Sequence, residues 1–272
     1  MKTARTADPV RRSYSTSLSR REVGLLAEWE RERRQILSLD DLRRIVGSAA
    51  GDVARRLVRK RALERVGPGR FVIRPLRALN RPGRASAPVL AAAALQGERY
   101  YLGGLWALTF HRLSSQQFAS VLDAFVARRA AARSLGDTRL VLHRVSASKL
   151  REGIADAQVE GVTVRVSDQE RTLLDLLDLP ALAGGAGEAL RHVQESLGQV
   201  SKTKLVEYAA RGSRDSTCQR LGLLLERTGM NPRLLAPLRR RIRDSKSSLS
   251  LVAGAPRVGP VNRLLRVVEN DS

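Results

Sequence analysis

The stretch SLDDLRRIVGSAAGDVARRLVRKRALERVGPGRFVI, residues 38–73, decides how the N-terminal third of the chain is interpreted. Ser38 precedes an apolar run and Asp41 follows three positions later, which is the pattern of an N-cap with its capping-box partner. Gly47 ends this short helix, because glycine tolerates the left-handed conformation that commonly follows a helix. The small residues 48–51 then predict a tight turn before a second helix over residues 52–63.

The second helix has an apolar side and a basic side. At 3.6 residues per turn, Val53, Ala54, Leu57 and Val58 fall on one side of it. Arg55, Arg56 and Arg59 fall on the opposite side, with Lys60 at the margin. The segment Gly67-Pro68-Gly69 follows, and it predicts a hairpin because Pro fixes φ at the second turn position and Gly supplies a positive φ at the third.

The order of short helix, turn, basic helix and hairpin predicts a winged helix-turn-helix, whose second helix enters the major groove of DNA. Arginine on that helix suits phosphate and guanine, while the hairpin suits the flanking backbone. The alternative is a solvated basic face on an ordinary helical hairpin. The residues predicted to contact DNA are Ser48, Arg55, Arg56, Arg59, Lys60, Arg65 and Arg70.

Charge favours the same kind of partner. The chain has 272 residues and a formal net charge of +22, and residues 1–84 hold 22 Lys and Arg against 9 Asp and Glu. A surplus of this size favours polyanions such as nucleic acid, although an acidic protein or membrane surface is also compatible with it. The single cysteine, Cys218, excludes a disulfide framework and a cysteine-based zinc site within one chain.

The chain is expected to form a mixed α/β (α+β) protein with a winged helix-turn-helix and a larger second domain. Residues 1–17 are predicted to be a disordered basic N-terminus, residues 18–80 the DNA-binding domain and residues 86–272 a mixed α/β domain. The N-terminus has no apolar signal segment and no apolar run reaches 18 residues, so we expect a cytoplasmic protein that does not cross a membrane.

Helical and strand periodicity divide both domains further. A first helix over residues 19–36 is expected to bury Val23 and Trp29, and the next helix to bury Ile45. The period leaves residues 118–126 undecided between helix and strand. Further strands are predicted at 138–145, 159–167, 249–252 and 264–268. Further helices are predicted at 88–96, 186–197, 201–211, 216–228 and 232–243.

The segment SDQERTLLDLL, residues 167–177, is the most specific pattern in the second domain. Ser167 and Glu170 have capping-box spacing, and Arg171 lies one helical turn from Asp175. We therefore predict a capped, ion-paired helix with a leucine stripe. The residues of this structural motif are Ser167, Glu170, Arg171, Thr172 and Asp175.

Patterns that indicate catalysis are weak. Gly184-Gly185-Ala186-Gly187 lacks the Lys-Ser/Thr of a phosphate-binding loop and is expected to be a plain loop. Asp156, Gln158 and Glu160 lie close together, but none is followed by the lysine that a nuclease-like site requires, and the three histidines are widely spaced. We expect no enzyme activity, no metal and no cofactor.

Several strings together resemble AbiEi-type antitoxins of type IV toxin–antitoxin systems. These are ALERVGPGRFVI (62–73), YYLGGLWALTFHRL (100–113), the strand and helix VRVSDQERTLLDLL (164–177) and RLGLLLERTG (220–229). The second string departs from the family's pattern at Gly104 and Arg112. The resemblance covers residues 18–270, and it implies that residues 118–126 form a strand.

The resemblance implies a transcriptional autorepressor that binds promoter inverted repeats, and an antitoxin that counters a nucleotidyltransferase toxin encoded beside it. A monomer or weak dimer would pair on such double-stranded sites. Residues 233–272 hold 9 Lys and Arg against 3 Asp and Glu, so this face is predicted to be either a solvated surface or one that meets an acidic toxin or nucleic acid. Two alternatives remain: a stand-alone regulator whose second domain senses a ligand, and a nuclease targeted by a winged helix.

Overall fold

The structure is a computed structural model that describes residues 18–76, 85–116, 120–128, 131–135, 137–245 and 248–271. The chain divides into two compact units, Met1–Ala85 and Ser86–Ser272, which we call the N-terminal and C-terminal units. The sequence places the boundary between residues 80 and 86, and the segment predicted to be disordered, 1–17, lies outside the described residues. Helices and sheets occur in both units, so the predicted mixed α/β class is confirmed.

The N-terminal unit joins short helices to a three-stranded antiparallel sheet of order β1-β3-β2. Its helices bury Leu26, Trp29, Leu42 and Leu57 against Phe71 of the sheet, so one small core holds both kinds of element together. The described elements are α1 (Arg20–Arg31), β1 (Ile36–Ser38), α2 (Leu39–Val46), a 3₁₀ turn (Gly47–Ala49), α3 (Ala50–Arg59), β2 (Leu63–Gly67) and β3 (Arg70–Ile73).

Capping boxes begin the first two helices. Ser38 Oγ accepts a hydrogen bond from the Asp41 amide at 3.0 Å, and Asp41 Oδ2 accepts one from the Ser38 amide at 2.9 Å, which confirms the predicted cap of α2. Ser19 and Glu22 form the same arrangement at α1, which the sequence analysis did not identify. Each box satisfies amides that a helix start leaves without intrahelical partners.

Four predictions about the N-terminal unit are wrong. The first helix does not reach residue 36: α1 ends at Arg31, and Ile36 begins β1, which pairs with β3. Likewise, the second helix does not reach residue 63: α3 ends at Arg59, and Leu63 begins β2, where it pairs with Ile73. Val23 and Ile45, expected in the core, are 40% and 43% exposed. These errors arise because strand pairing and the width of a buried stripe depend on contacts between residues that are distant in the sequence. Helical periodicity carries no information about such contacts.

The C-terminal unit is built on a mixed six-stranded sheet of order β6-β7-β5-β4-β9-β8. The sheet is followed by a helical layer and a small three-stranded sheet, β10-β12-β11. The elements are α4 (Ala87–Ala94), β4 (Tyr100–Gly103), α5 (Gly104–Phe110), β5 (Val121–Val126), β6 (Arg133–Leu135), β7 (Thr138–Arg144), β8 (Ile154–Val159), β9 (Val162–Ser167), α6 (Gln169–Asp178), a 3₁₀ turn (Pro180–Ala183), α7 (Ala186–Ser196), α8 (Lys202–Gly212), α9 (Asp215–Arg227), α10 (Ala236–Ile242), β10 (Leu249–Ser250), β11 (Val261–Asn262) and β12 (Val267–Val268).

Helices cover the six-stranded sheet on both faces. Helix α4 packs against β9, in which Val162, Val164 and Val166 are buried. On the opposite face, the rings of Tyr101 and Phe125 stack with centroids 4.6 Å apart and join the same core as Leu173 and Leu177 of α6. Leu102 pairs with Val166 and shares its face of the sheet. Because side chains alternate along a strand, the neighbouring Tyr101 lies on the opposite face, which α6 covers.

Several predictions about the C-terminal unit are settled by the observed strands. The described part of 118–126 contains strand β5, as the resemblance implies. The strand predicted over 159–167 is present as β9, but it begins at Val162, because Glu160 and Gly161 both have positive φ and turn the chain between β8 and β9. The predicted strands of the tail are present in shortened form as β10 and β12.

Within the described ranges, no helix has both the length and the apolar character of a membrane-spanning segment. The longest of them, α9, has 13 residues, whereas a span requires about 20.

Candidate nucleic-acid interface

The outward face of α3 carries Arg55 and Arg59. Successive helical residues are about 100° apart, so both arginines lie opposite the buried Val53, Ala54 and Leu57. The side chain of Arg55 is 82% exposed, and its Nη2 lies 2.6 Å from Asp52 Oδ1 on the same face. The predicted outward position of Arg55 and Arg59 is confirmed.

Arg56 and Lys60 lie on the flank of α3 that faces α1. Lys60 Nζ lies 2.6 Å from Glu22 Oε2, and Arg56 Nε lies 3.7 Å from Glu22 Oε1. Lys60 is half-buried, and the carboxylate it contacts is buried. Burial alone would raise the pKa of Glu22, but hydrogen bonds from Lys60 and Ser19 lower that pKa below its usual value.

Lys60 therefore lies at the margin of the basic side, where the sequence places it, and faces α1. Its hydrogen bond to Glu22 joins α3 to α1, and that bond connects residues 38 positions apart. Glu22 is the residue that sequence reasoning missed. The spacing of Ser19 and Glu22 fits a capping box and could have indicated the cap, but no local pattern indicates that the same carboxylate also receives a lysine from α3.

The β2–β3 hairpin presents two further arginines beside the turn at Pro68 and Gly69. Gly69 has a φ of +64°, as the predicted turn requires, and its carbonyl accepts a hydrogen bond of 2.7 Å from the Leu39 amide at the start of α2. Arg65 is exposed, with its Nε 3.4 Å from the Gly67 carbonyl, while Arg70 is half-buried. The hairpin tip is thus attached to the helical part of the unit.

Ser48 lies at an exposed position in the 3₁₀ turn that precedes α3. At about 100° per residue, a helix extended back to residue 48 would place Ser48 close to the direction of Arg55 and Arg59. The outward face therefore combines Ser48, Asp52, Arg55 and Arg59, with the hairpin arginines in the same unit.

The predicted motif of the C-terminal unit is present, but its cap is different. Ser167 is the last residue of β9, and Asp168 is the N-cap of α6, since its Oδ1 accepts a hydrogen bond of 2.8 Å from the Arg171 amide. The predicted Ser167–Glu170 capping box is therefore wrong. Ser167 Oγ instead lies 2.8 Å from Thr172 Oγ1, and both hydroxyl groups are buried between β9 and α6.

Glu170 joins α6 to α8. Its Oε1 accepts a hydrogen bond of 2.9 Å from the Ser201 amide, and its Oε2 lies 2.9 Å from Lys204 Nζ. Lys204 also lies 2.9 Å from Asp168 Oδ2, and these two carboxylates raise the pKa of Lys204 although burial opposes the shift. The Glu170 carboxylate of the motif is thus a helix–helix contact.

Arg171 and Asp175 form the predicted ion pair, and both are buried. Arg171 Nε lies 3.0 Å from Asp175 Oδ1, and the Tyr101 hydroxyl donates to Asp175 Oδ2 at 2.8 Å. Burial raises the pKa of the Asp175 carboxyl, while Arg171 and the Tyr101 hydrogen bond oppose that rise. The group connects α6 to β4.

The residues considered for a nuclease site do not come together. Gln158 Nε2 donates to Thr163 Oγ1 at 2.8 Å, and Glu160 lies in the turn between β8 and β9. His143 Nε2 lies 2.7 Å from Asp123 Oδ1 in another part of the sheet. In the portion of the chain that the structure describes, no group of three His, Cys, Asp or Glu side chains is arranged to hold a metal ion.

No family model matches the chain, and no curated protein matches it. Among solved structures, the chain is similar to the crystal structure of the RV2827C protein from Mycobacterium tuberculosis. The TM-score is 0.60 and the sequence identity is 18%, over 89% of each chain. At this identity the likeness concerns the fold alone, so it supports the mixed α/β architecture and assigns no function.

Proposed function

We propose that the N-terminal unit is a winged helix-turn-helix that binds double-stranded DNA, and that the protein represses transcription from its own promoter. Helix α3 would enter the major groove and the β2–β3 hairpin would contact the backbone beside it. Occupation of a promoter blocks transcription without catalysis, so the proposal requires no active site. Inverted repeats would bind two copies of the protein, one on each half-site.

The observation that carries this proposal is the position of Arg55 and Arg59. Both side chains project from α3 opposite its buried stripe, where a groove-binding helix presents its reading residues. Arginine donates two parallel hydrogen bonds to guanine O6 and N7, the commonest specific protein–DNA contact. The Arg55–Asp52 pair is exposed and such pairs contribute only about 0–1 kcal/mol, so DNA can displace the carboxylate.

The hairpin supports the same geometry. Arg65 is exposed beside the tip, and the tip is attached to α2 through the Gly69 carbonyl. A cation on an attached hairpin reaches phosphates at a fixed position relative to α3. Phosphate contacts fix register and orientation, whereas base contacts supply sequence preference.

The test is a binding titration with the DNA directly upstream of the protein's own coding region. We expect this DNA to be bound in preference to a scrambled duplex, with affinity falling as salt rises because bound phosphates release counterions. Arg65→Ala should weaken binding to both duplexes alike and reduce the slope of log K against log salt by about 1. Equal affinity for the two duplexes in the unmodified protein would contradict promoter recognition, and an unchanged slope would exclude Arg65 from the phosphate contacts.

The antitoxin role rests on the resemblance alone and belongs to the C-terminal unit. We expect co-expression of the full chain with a neighbouring nucleotidyltransferase gene to restore growth, and we expect residues 1–85 alone not to restore it. A stand-alone regulator whose C-terminal unit senses a small ligand is the second candidate, and a cavity in that unit lined by Arg99, Arg151 and Arg165 favours it. Absence of a toxic neighbouring gene, or failure of the full chain to restore growth, would favour that second candidate.

A further inference from the structure

A cavity of about 310 Å³ in the C-terminal unit is lined by Arg99, Leu150, Arg151 and Arg165. Arg99 directly precedes β4, Arg165 lies in the neighbouring parallel strand β9, and the other two residues lie between β7 and β8. Three separate segments therefore bring three guanidinium groups to one opening.

The sheet and the loop give this cavity a fixed form. Leu102 of β4 pairs with Val166 of β9, and since side chains alternate along a strand, Arg99 and Arg165 lie on the same face. The loop between β7 and β8 returns through Gly153, which has a φ of +69° and where an added Cβ would lie 2.8 Å from Arg171 Cβ. Only glycine fits this approach without movement, so the loop is held against α6.

The three cavity arginines have no ion-pair partner in the part of the chain that the structure describes. Among the described residues, none of their guanidinium groups forms an ion pair or a side-chain hydrogen bond. Even Asp156, which faces Arg165 across the β8–β9 pair, makes no ion pair with it. Other arginines of the same unit do have acidic partners, including Arg191 with Glu188 and Glu195. Like charges that share an opening repel each other, and an anion that enters relieves that repulsion.

We propose that this cavity binds a ligand through two or more adjacent phosphate groups. The planar guanidinium fork matches phosphate oxygens with two parallel charge-assisted hydrogen bonds. A single phosphate monoester carries a charge of about −1.5 to −2 at pH 7, so three guanidinium charges match more than one phosphate group, and the buried Leu150 lies beside them. The volume is at the low end of the range for small-ligand sites, about 300–1,000 Å³. It suits a diphosphate or triphosphate group, either of a free nucleotide or at the 5′ end of a single strand.

The test is isothermal titration calorimetry of the full chain with inorganic pyrophosphate, ATP and a short single-stranded oligonucleotide that carries a 5′-triphosphate. The triple variant Arg99→Gln, Arg151→Gln, Arg165→Gln should lower the affinity for the phosphate ligand by about 100-fold at constant salt. A matched triple variant, Arg139→Gln, Arg144→Gln, Arg263→Gln, removes the same charge from exposed positions outside the cavity. It should bind within about twofold of the unmodified protein, since distant exposed charges are screened.

The α3 face also attracts anions, so the titration is repeated with Arg55→Ala, Arg59→Ala. Binding that survives this change and is lost in the cavity variant supports the proposal, whichever phosphate source binds more tightly. Preference for pyrophosphate or ATP identifies a free ligand, and preference for the oligonucleotide identifies a strand end. The proposal is overturned if no probe binds, if both triple variants lose affinity equally, or if binding is lost only with the α3 arginines. Loss of the cavity site leaves promoter binding intact, which distinguishes it from failure of the proposed function.

Discussion

Replacing Arg171 with leucine is expected to lower the free energy of unfolding of the C-terminal unit by about 3–5 kcal/mol, the usual cost of breaking a buried ion pair from one side. The carboxylate of Asp175 would remain buried without its guanidinium partner, keeping only the hydrogen bond from Tyr101. Because burial already raises the pKa of Asp175, loss of Arg171 removes the main influence that opposes this rise.

Chemical denaturation followed by hydrogen exchange measures this effect unit by unit, since peptides from the two units exchange separately. Arg191→Leu is the matched control, because Arg191 also pairs with carboxylates of its own helix, Glu188 and Glu195, but at the surface. Exposed pairs contribute about 0–1 kcal/mol, so this variant should remain close to the unmodified protein.

The double variant Arg171→Leu, Asp175→Leu distinguishes the loss of the ion pair from the loss of the packing of the arginine side chain. Removing both charges leaves no buried ion without a partner, so much of the lost stability should return, although the Tyr101 hydroxyl still loses an acceptor. If the double variant is less stable than Arg171→Leu, or if Arg171→Leu and Arg191→Leu have equal effects, the buried pair is not what stabilises α6.

The Arg171–Asp175 pair illustrates what sequence can and cannot predict about the C-terminal unit. Spacing of one helical turn is local, so it predicts the pair. Burial of the pair depends on Tyr101, which lies 74 positions before Asp175, and no pattern within α6 indicates that contact. The wrong cap has the same origin, because Ser167 belongs to β9 through its pairing with Ile154 of β8, so Asp168 becomes the first residue able to cap.

The N-terminal unit shows the same division. The cap of α2, the turn at Gly69 and the outward position of Arg55 follow from signals within a few residues, and the structure confirms each of them. Strand β1 was not predicted, because three residues form a strand only by pairing with β3. The contact of Lys60 with Glu22 was not predicted for the same reason, since that carboxylate lies on α1.

The arginine-lined cavity was not predictable from any one segment. Arg99, Arg151 and Arg165 lie in separate segments of the sequence, and the residues next to each of them form no recognisable binding motif. They meet because β4 and β9, distant in the sequence, are adjacent and parallel in the sheet. Parallel neighbours require a long crossover connection, so residues that gather at such a pair come from remote parts of the chain.

Replacing Arg55 and Arg59 together with alanine is expected to reduce affinity for promoter DNA by about 100-fold or more, because each arginine–guanine contact contributes about 1–3 kcal/mol. Both side chains are exposed and lie away from the buried stripe of α3, so the variant should fold normally. A gel-shift titration at fixed salt measures the affinity, and thermal unfolding verifies the fold. Arg139→Ala, Arg144→Ala is the control for lost charge, since both residues are exposed on β7 of the other unit.

A second double variant, Arg56→Ala, Lys60→Ala, distinguishes the two flanks of α3. These residues contact Glu22, a buried carboxylate on α1, so their loss should destabilise the N-terminal unit by leaving that charge without a cationic partner. Where the unit remains folded, preference for promoter over scrambled DNA should persist, because Arg55 and Arg59 still face the groove. If this variant loses sequence preference while Arg55→Ala, Arg59→Ala keeps it, the Glu22-facing flank is the reading surface, and α3 meets DNA in a different orientation from the one proposed.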